Sequence, residues 1–176
     1  KYHLPEENPH NYFGKQYFEV EELNSEQYEL SKVLSFKVVY GGIDDEYAII
    51  PFFKKVYEFR TKLFKEYKTN GFIRSVIFNR PIGLGKNLPE HKLFNYLLQS
   101  YETEFNSLII NNIFNYLYNK QSNLILYTYD SFLFNLSKFD GPETIEKLKS
   151  IIFNDGFTGS IKIGKHYGEM THYDKI

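Results

Sequence analysis

Apolar and polar residues along the chain are spaced in blocks, and the first clear blocks have helical spacing. Asn24 or Ser25 can cap a predicted helix that runs to about Val39, and Gly41-Gly42 is expected to stop it. Apolar residues recur at helical spacing again over residues 46–67, with Pro51 starting or kinking this second helix. Asn70-Gly71 is expected to end it.

The segments before the first of these helices and after the second follow patterns of their own. Residues 1–24 show no clear period and are expected to be irregular. Alternation over residues 72–78 predicts a strand, which Asn79-Arg80-Pro81 should break. Residues 89–118 predict the longest helix, with a proline at the start, where its missing N–H costs nothing.

The last third predicts a hairpin, a helix and a strand. Short apolar runs flank Tyr129-Asp130-Ser131, so residues 123–134 are expected to form a hairpin. A helix should follow over residues 140–153 and close at Asn154-Asp155-Gly156, and residues 160–163 should be the final strand. The whole pattern predicts an α+β fold, with helices packed on a small antiparallel sheet.

Composition narrows the class of protein. The 176 residues are 42% hydrophobic and 24% charged, which suits one folded domain or one large fragment. The absence of Cys excludes disulfides and thiolate sites, and no apolar run reaches the roughly 20 residues of a membrane span. We therefore expect no membrane partner and a cytoplasmic location. The first residue, Lys1, suggests a cut or trimmed end.

Charge is distributed unevenly along the chain. The formal net charge is −1, which gives no sign of a polyanion binder. Residues 54–92, however, hold ten Lys and Arg against three Glu, a local balance of +7. This asymmetry favours contact with a phosphate backbone, although a solvated helix face explains many of these charges without a ligand.

An aromatic and basic stripe recurs every four residues on the first predicted helix, at Tyr28, Lys32, Phe36 and Tyr40. About 12 Å of helix rise separates Lys32 from Tyr40, a span that suits a nucleotide with its phosphates at one end. The alternative is an amphipathic helix whose aromatic residues are core and whose Lys32 reaches water. Spacing alone favours the alternative.

Two further sets of residues are candidates for chemistry. Asp130 stands between apolar runs, so its carboxylate must lie in an exposed turn, be paired, or hold a metal. His91, Asn95 and Gln99 share one helical face, and amides suit hydrogen bonding to base edges or sugars. A solvated polar face is the more frequent explanation of such a set.

The aromatic and basic stripe on the first predicted helix resembles a known motif. The spacing Lys32-x-x-x-Phe36-x-x-x-Tyr40-Gly41 resembles the fingers helix of family A (Pol I-like) DNA polymerases. In that family the Lys meets the incoming triphosphate, and the Tyr stacks by the template base and helps to gate the sugar. The resemblance implies that Lys32, Phe36 and Tyr40 bind the nucleotide, and that Lys32 and Tyr40 also take part in catalysis.

Two later motifs resemble the same family in the same order. Asn95-x-x-x-Gln99 looks like the helix that touches the primer–template minor groove, which implies DNA contacts for His91, Asn95 and Gln99. Residues 126–134 are similar to the palm hairpin, whose central motif is usually His-Asp-Glu. The resemblance thus implies that Asp130 is a catalytic ligand of Mg²⁺.

The chain also departs from the family pattern. Tyr28 stands where the family usually has Arg, His91 stands where a primer-contacting Arg is common, and Tyr129-Asp130-Ser131 has lost one carboxylate. Asn8-Pro9-His10 resembles the family's Asp-Ile-His segment upstream of the fingers. The family's other metal-binding Asp motif should lie just before His10, and residues 1–9 do not contain it. We therefore expect a fragment or a separate piece that is inactive alone.

The resemblance implies an organisation and a function. Residues 1–24 would be the entry segment from the palm, residues 25–82 the fingers, and residues 83–176 the C-terminal palm. The expected activity is two-metal addition of dNTPs to a primer 3′ end. The expected partners are primer–template DNA, dNTP and the missing polymerase portion, in the host cytoplasm if a phage encodes the chain. The alternative is a non-catalytic nucleic-acid-binding or assembly piece.

Overall fold

Helices make up most of the computed structural model, which describes residues 7–40, 50–153 and 159–173. The strands among these residues pair into three antiparallel two-stranded sheets, so the predicted α+β class is confirmed, with three small sheets in place of one. In chain order the elements are α1 (Pro9–Phe18), α2 (Ser25–Tyr40), α3 (Pro51–Asn70), β1 (Ile73–Arg74), β2 (Pro81–Ile82), α4 (Glu90–Leu117), β3 (Asn123–Thr128), β4 (Ser131–Asn135), α5 (Glu143–Ile152), β5 (Lys162–Ile163) and β6 (Thr171–His172).

The prediction of an irregular opening segment was wrong, because α1 occupies Pro9–Phe18. The Asn8 side chain caps this helix by accepting a hydrogen bond from the His10 N–H at 2.9 Å. Pro9 stands in the first helical turn, where its fixed φ favours the helix and its missing N–H is not needed. Asn8-Pro9 is therefore a helix start signal, which the lack of a clear period over residues 1–24 did not reveal.

The start of α2 at Ser25, the start of α3 at Pro51 and the end of α3 before Gly71 agree with the predicted signals. Asn24 and Gln27 cap α2 reciprocally: each side-chain oxygen accepts from the other residue's backbone N–H. Pro51 begins α3, and Gly71 ends it at φ 76°, a conformation that costs glycine no Cβ clash. The predicted stop at Gly41-Gly42 and the predicted start of the second helix at residue 46 lie outside the described residues.

The predicted strand over residues 72–78 was wrong beyond its first half. Only Ile73–Arg74 is extended, and the chain then turns and returns as β2, with Arg74 opposite Pro81. Pro81, which was expected to break the strand over residues 72–78, belongs to the next strand, β2. The turn forms because the buried Glu104 carboxylate accepts hydrogen bonds from the Ile77 and Phe78 N–H groups.

The chain forms two compact units, Lys1–Glu104 and Phe105–Ile176, so their boundary lies within α4. The predicted domain limits after residues 24 and 82 stay predictions. No helix among the described residues combines the length and the apolarity that crossing a membrane requires. In the first unit the larger core cluster joins α3, the β1–β2 hairpin and the start of α4. Its buried members are Leu63, Tyr67, Ile73, Ile82, Leu88, Leu93, Phe94 and Leu97.

In the second unit, α5 and the β3–β4 hairpin contribute to a core with the last turns of α4. Ile109, Ile113 and Leu117 meet Leu148 there, and burying such side chains is the main source of stability in a unit this small. The predicted hairpin and the predicted helix are confirmed as β3–β4 and α5. The predicted closure at residues 154–156 lies outside the described residues. The predicted final strand is limited to Lys162–Ile163, and it pairs with a further strand, β6.

Candidate functional site

The aromatic residues at the end of α2 lie on the surface. Side chains of Phe36 and Tyr40 are 56% and 42% exposed, and their rings stack with centroids 6.0 Å apart and planes 19° from parallel. The His10 ring of α1 lies 6.0 Å from the Phe36 ring. Phe36 and Tyr40 are therefore surface rings, available to a planar ligand, and they are not core residues.

Lys32 lies on the same helix and is already engaged. Its ammonium donates to the Glu29 carboxylate at 2.7 Å and lies 4.3 Å from the centre of the Tyr28 ring. The hydrogen bond to Glu29 is the main reason that the pKa of Lys32 is raised. A phosphate that binds Lys32 must therefore share the ammonium with the Glu29 carboxylate or displace it.

The two predicted sets of site residues meet at the end of α2. The Asn95 side-chain amide on α4 donates a hydrogen bond to the Tyr40 backbone carbonyl at 3.2 Å. The Asn95 amide oxygen is buried and has no hydrogen-bond partner among the described residues. His91, one turn before Asn95, is half-buried, whereas Gln99 is exposed one turn after it.

Gln99 lines a shallow groove of about 520 Å³ between the β2 region and α4. Arg80 and Lys86 provide two cations at this groove, and the Lys86 ammonium lies 5.6 Å from the centre of the Tyr96 ring. The groove thus combines cations, hydrogen-bonding groups and an aromatic ring, which is the chemistry that nucleic-acid sites use. Its lining is Arg80, Pro81, Ile82, Gly83, Lys86, Tyr96, Gln99, Ser100 and Thr103.

Tyr67 and Gly83 stabilise the conformation of the loop after β2. The Tyr67 hydroxyl donates to the Lys86 carbonyl and accepts from the Leu88 N–H, so it fixes the base of the loop from α3. Gly83 has φ 81°, and a Cβ there would lie 2.9 Å from the Tyr67 ring. These contacts hold Lys86 beside the groove.

Glu104 is the polar residue that sequence reasoning missed. Its side chain is fully buried, and it accepts hydrogen bonds from Ile77, Phe78 and Arg80. Burial opposes ionisation, but hydrogen bonds from Ser75, Phe78, Arg80 and Ile77 outweigh it and lower the pKa of Glu104 to about 2. No short motif would have found it, because its partners lie 24 to 29 residues earlier in the chain.

Nine of the ten cations in the basic segment 54–92 are exposed, and Arg60 is the exception. Arg60 lies on the inner face of α3, where its Nε is 3.6 Å from the Glu90 carboxylate and its guanidinium lies 5.7 Å from the Phe94 ring centre. Its Nε and Nη1 have no hydrogen-bond partner among the described residues. Arg60 is therefore part of the contact between α3 and α4 and is not a surface contact for phosphates.

Asp130 lies in the exposed turn of the β3–β4 hairpin. Tyr129 occupies the other turn position at φ 50°, and Asn106 donates to the Tyr129 carbonyl at 3.2 Å. Within residues 7–40, 50–153 and 159–173, no group of three or more His, Cys, Asp or Glu residues is placed to hold a metal ion. Asp130 alone does not fit a two-ion site, and Mg²⁺ binding stays a prediction.

The comparisons with known proteins supply no relative. No protein-family model matches the chain. No curated protein matches it either. The resemblance to family A polymerases therefore depends on the motifs themselves and on where their residues lie in the fold.

Proposed function

We propose that this chain is the fingers and C-terminal palm portion of a template-directed DNA polymerase of the family A type. It binds primer–template DNA and an incoming dNTP in the cytoplasm, that of the host if a phage encodes it. The observation that carries the proposal is the hydrogen bond from Asn95 to the Tyr40 carbonyl. It joins two motifs that lie 55 residues apart and that the resemblance assigned separately to DNA and to nucleotide.

The end of α2 suits the base and sugar of a nucleotide. Phe36 and Tyr40 present stacked, exposed rings, and a base stacks on such rings without sequence preference. Lys32 is two helical turns away from Tyr40, on the side where the phosphates would lie. A triphosphate carries more negative charge than the single Glu29 carboxylate, so it competes well for the Lys32 ammonium.

The groove beside Gln99 suits the DNA. Arg80 and Lys86 provide charges for backbone phosphates, and Gln99, Ser100 and Thr103 provide groups that hydrogen bond to sugars or base edges. Asn95 and Gln99 are one turn apart on α4. The same helix therefore contacts the end of α2 through Asn95 and lines the groove through Gln99.

The chemistry of the proposed reaction needs more than this chain. In such a reaction the primer 3′-oxygen attacks the α-phosphorus of the dNTP and pyrophosphate leaves, with two Mg²⁺ ions supplying charge stabilisation. Residues 1–9 do not contain the family's other metal-binding Asp motif, so we assign the other carboxylate to the missing palm portion. This chain contributes the binding and orientation of DNA and nucleotide, and one carboxylate at Asp130.

A second candidate function is supported by the surroundings of Asp130. The carboxylate lies on an exposed turn, and among the described residues no group of three or more His, Cys, Asp or Glu is placed to hold a metal ion. A non-catalytic piece that keeps the polymerase architecture and binds nucleic acid would have the same basic groove. The two candidates differ in whether Asp130 matters for nucleotide addition.

Primer extension separates the candidates. The purified chain is assayed alone and mixed with the polypeptide encoded upstream or by the adjacent gene, using a labelled primer–template. The polymerase proposal predicts no extension by the chain alone and extension by the mixture, which Asp130→Asn abolishes. Glu143→Gln, which alters an exposed acid elsewhere in the same unit, is the matched control and should leave extension unchanged.

The other outcomes are equally informative. A mixture that binds primer–template without extending it favours the non-catalytic candidate. Extension that survives Asp130→Asn contradicts the assignment of Asp130. Robust extension by the isolated chain contradicts the expectation that a second carboxylate comes from another segment.

A further inference from the structure

We propose that Glu104 is a positioning residue, which holds the Arg80 guanidinium at the edge of the groove for contact with a nucleic-acid phosphate. This inference rests on the proposed function, because it takes DNA as the ligand of the groove. Glu104 itself touches no ligand, since its side chain is fully buried. It acts on the site through Arg80.

The two oxygens of Glu104 hold different parts of the same turn. Its Oε2 accepts from the Ile77 and Phe78 N–H groups at 3.1 and 3.0 Å, which fixes the backbone of the turn. Its Oε1 accepts from the Arg80 Nε at 2.8 Å, which fixes the side chain. One buried carboxylate thus determines where the turn lies and which way its arginine extends.

Arg80 is held from its backbone as well. Its N–H donates to the Ser75 hydroxyl and its carbonyl accepts from the Ser75 N–H, both at 2.8 Å. The Arg80 side chain is nevertheless 56% exposed, and it lines the groove together with Lys86 and Gln99. An arginine with a fixed backbone and a fixed Nε is unusual at a surface, where such side chains ordinarily move freely.

The chemistry of guanidinium explains why this arrangement suits phosphate. Of the five N–H groups, one is used by Glu104, and the planar fork retains others for a bidentate contact with a phosphate. Because Nε is held, Arg80 loses less conformational freedom when it binds. A lysine has a single ammonium, which the Glu104 carboxylate would draw away from the groove.

The test compares variants of the intact chain in binding to primer–template DNA, measured by fluorescence anisotropy over a range of salt concentrations. Arg80→Ala should weaken binding about tenfold, the effect of losing one charge-assisted hydrogen-bonded contact, and should reduce the salt slope by about 0.9. Arg80→Lys should weaken binding almost as much, although it keeps the charge. Glu104→Gln should reduce the salt slope of binding as much as Arg80→Ala does. Combined with Arg80→Ala, it should cause no further reduction.

Lys147→Ala is the control for the loss of one cation, because Lys147 is exposed on α5 and does not line the groove, and this variant should bind as the wild type does. A folded Glu104→Gln protein with the wild-type slope would mean that Glu104 is only structural. If Glu104→Gln does not fold, wild-type binding by Arg80→Lys overturns the inference, and binding as weak as that of Arg80→Ala supports it. Absence of DNA binding by the wild-type chain would instead contradict the proposed function, and the inference would fall with it.

Discussion

Two hairpin turns of this chain are each associated with one acidic residue, which is buried at the first turn and exposed at the second. The turn between β1 and β2 is bound to the buried Glu104, which accepts two of its backbone N–H groups and the Nε of Arg80. The turn between β3 and β4 carries Asp130 on its exposed tip. The first carboxylate organises local structure, whereas the second is available to solvent and ligands.

The two turns also differ in how they accommodate a left-handed residue. Asn79, at φ 56° in the first turn, tolerates that region because its short polar side chain suits it. Tyr129, at φ 50° in the second turn, has no such tolerance, and Asn106 donates to its carbonyl. The first turn is therefore held by hydrogen bonds from a buried carboxylate, whereas the second contains backbone strain beside a candidate metal ligand.

The largest expected effect is on stability at Glu104. Glu104→Ala leaves the N–H groups of Ile77 and Phe78 without their acceptor and should lower the free energy of unfolding by about 3 kcal/mol. Asp130→Ala should change it by no more than about 0.5 kcal/mol, because its side chain is exposed. Urea denaturation of both variants checks the contrast, and equal effects would remove the distinction between the two turns.

The next effect is on stability in acid. The folded-state pKa of Glu104 is about 2, below its ordinary value of 4.5, so its contribution to stability is full above about pH 4.5. That contribution is lost as the pH falls from about 4.5 towards 2. Glu104→Gln should therefore flatten the pH dependence of the urea midpoint in this window. An unchanged curve would show that the Glu104 carboxylate is not held as described.

The Asp140 carboxylate provides an internal control for that measurement. Hydrogen bonds from the Ser122 hydroxyl and from the Gln121 and Ser122 N–H groups lower its pKa, against the effect of burial. Asp140 is unaltered in Glu104→Gln, so the remaining acid dependence should include its contribution. Asp140→Asn should remove the Asp140 contribution to the pH dependence of the urea midpoint and leave that of Glu104.

The smallest expected effect concerns Tyr129. Tyr129→Gly removes the Cβ clash at φ 50° but gives the unfolded chain more freedom, so a net stabilisation of about 0.5 kcal/mol is expected. Asn79→Gly is the matched change in the other turn and should give less, because Asn already tolerates this conformation. A clear loss of stability in Tyr129→Gly would show that the turn is not strained.

Local signals explain why so much of the helical structure could be predicted. The Asn24–Gln27 capping box, Pro51 and Gly71 mark helix ends through contacts within a few residues, and the hairpin at Tyr129-Asp130 is equally local. The β1–β2 turn could not be predicted, because Glu104 shapes it from another element. The sequence over residues 72–78 alternates well enough for a longer strand. The Ile77 and Phe78 N–H groups, however, donate to the Glu104 carboxylate and not to a neighbouring strand.

In the candidate site, too, the sequence predicts which residues share a helix face but not how the elements pack. Sequence spacing identified Phe36 and Tyr40 as one stripe, but it could not determine that both rings are exposed. It singled out Gln99, but the groove around Gln99 depends on Arg80 and Lys86, which a folded loop brings to α4. Periodicity identifies which residues share a helix face, whereas burial and long-range polar contacts depend on packing between elements.

The most direct test of the central claim is the salt dependence of primer–template binding by the wild-type chain and by an Arg80→Ala/Lys86→Ala double variant. If the groove binds backbone phosphates, wild-type affinity should fall at least about tenfold between roughly 50 and 200 mM salt. The double variant should bind more weakly, with a slope smaller by about 1.8, while a Lys147→Ala control, altered on an exposed residue of α5, should match the wild type. Wild-type affinity that does not depend on salt, or an unchanged slope in the double variant, would contradict the account.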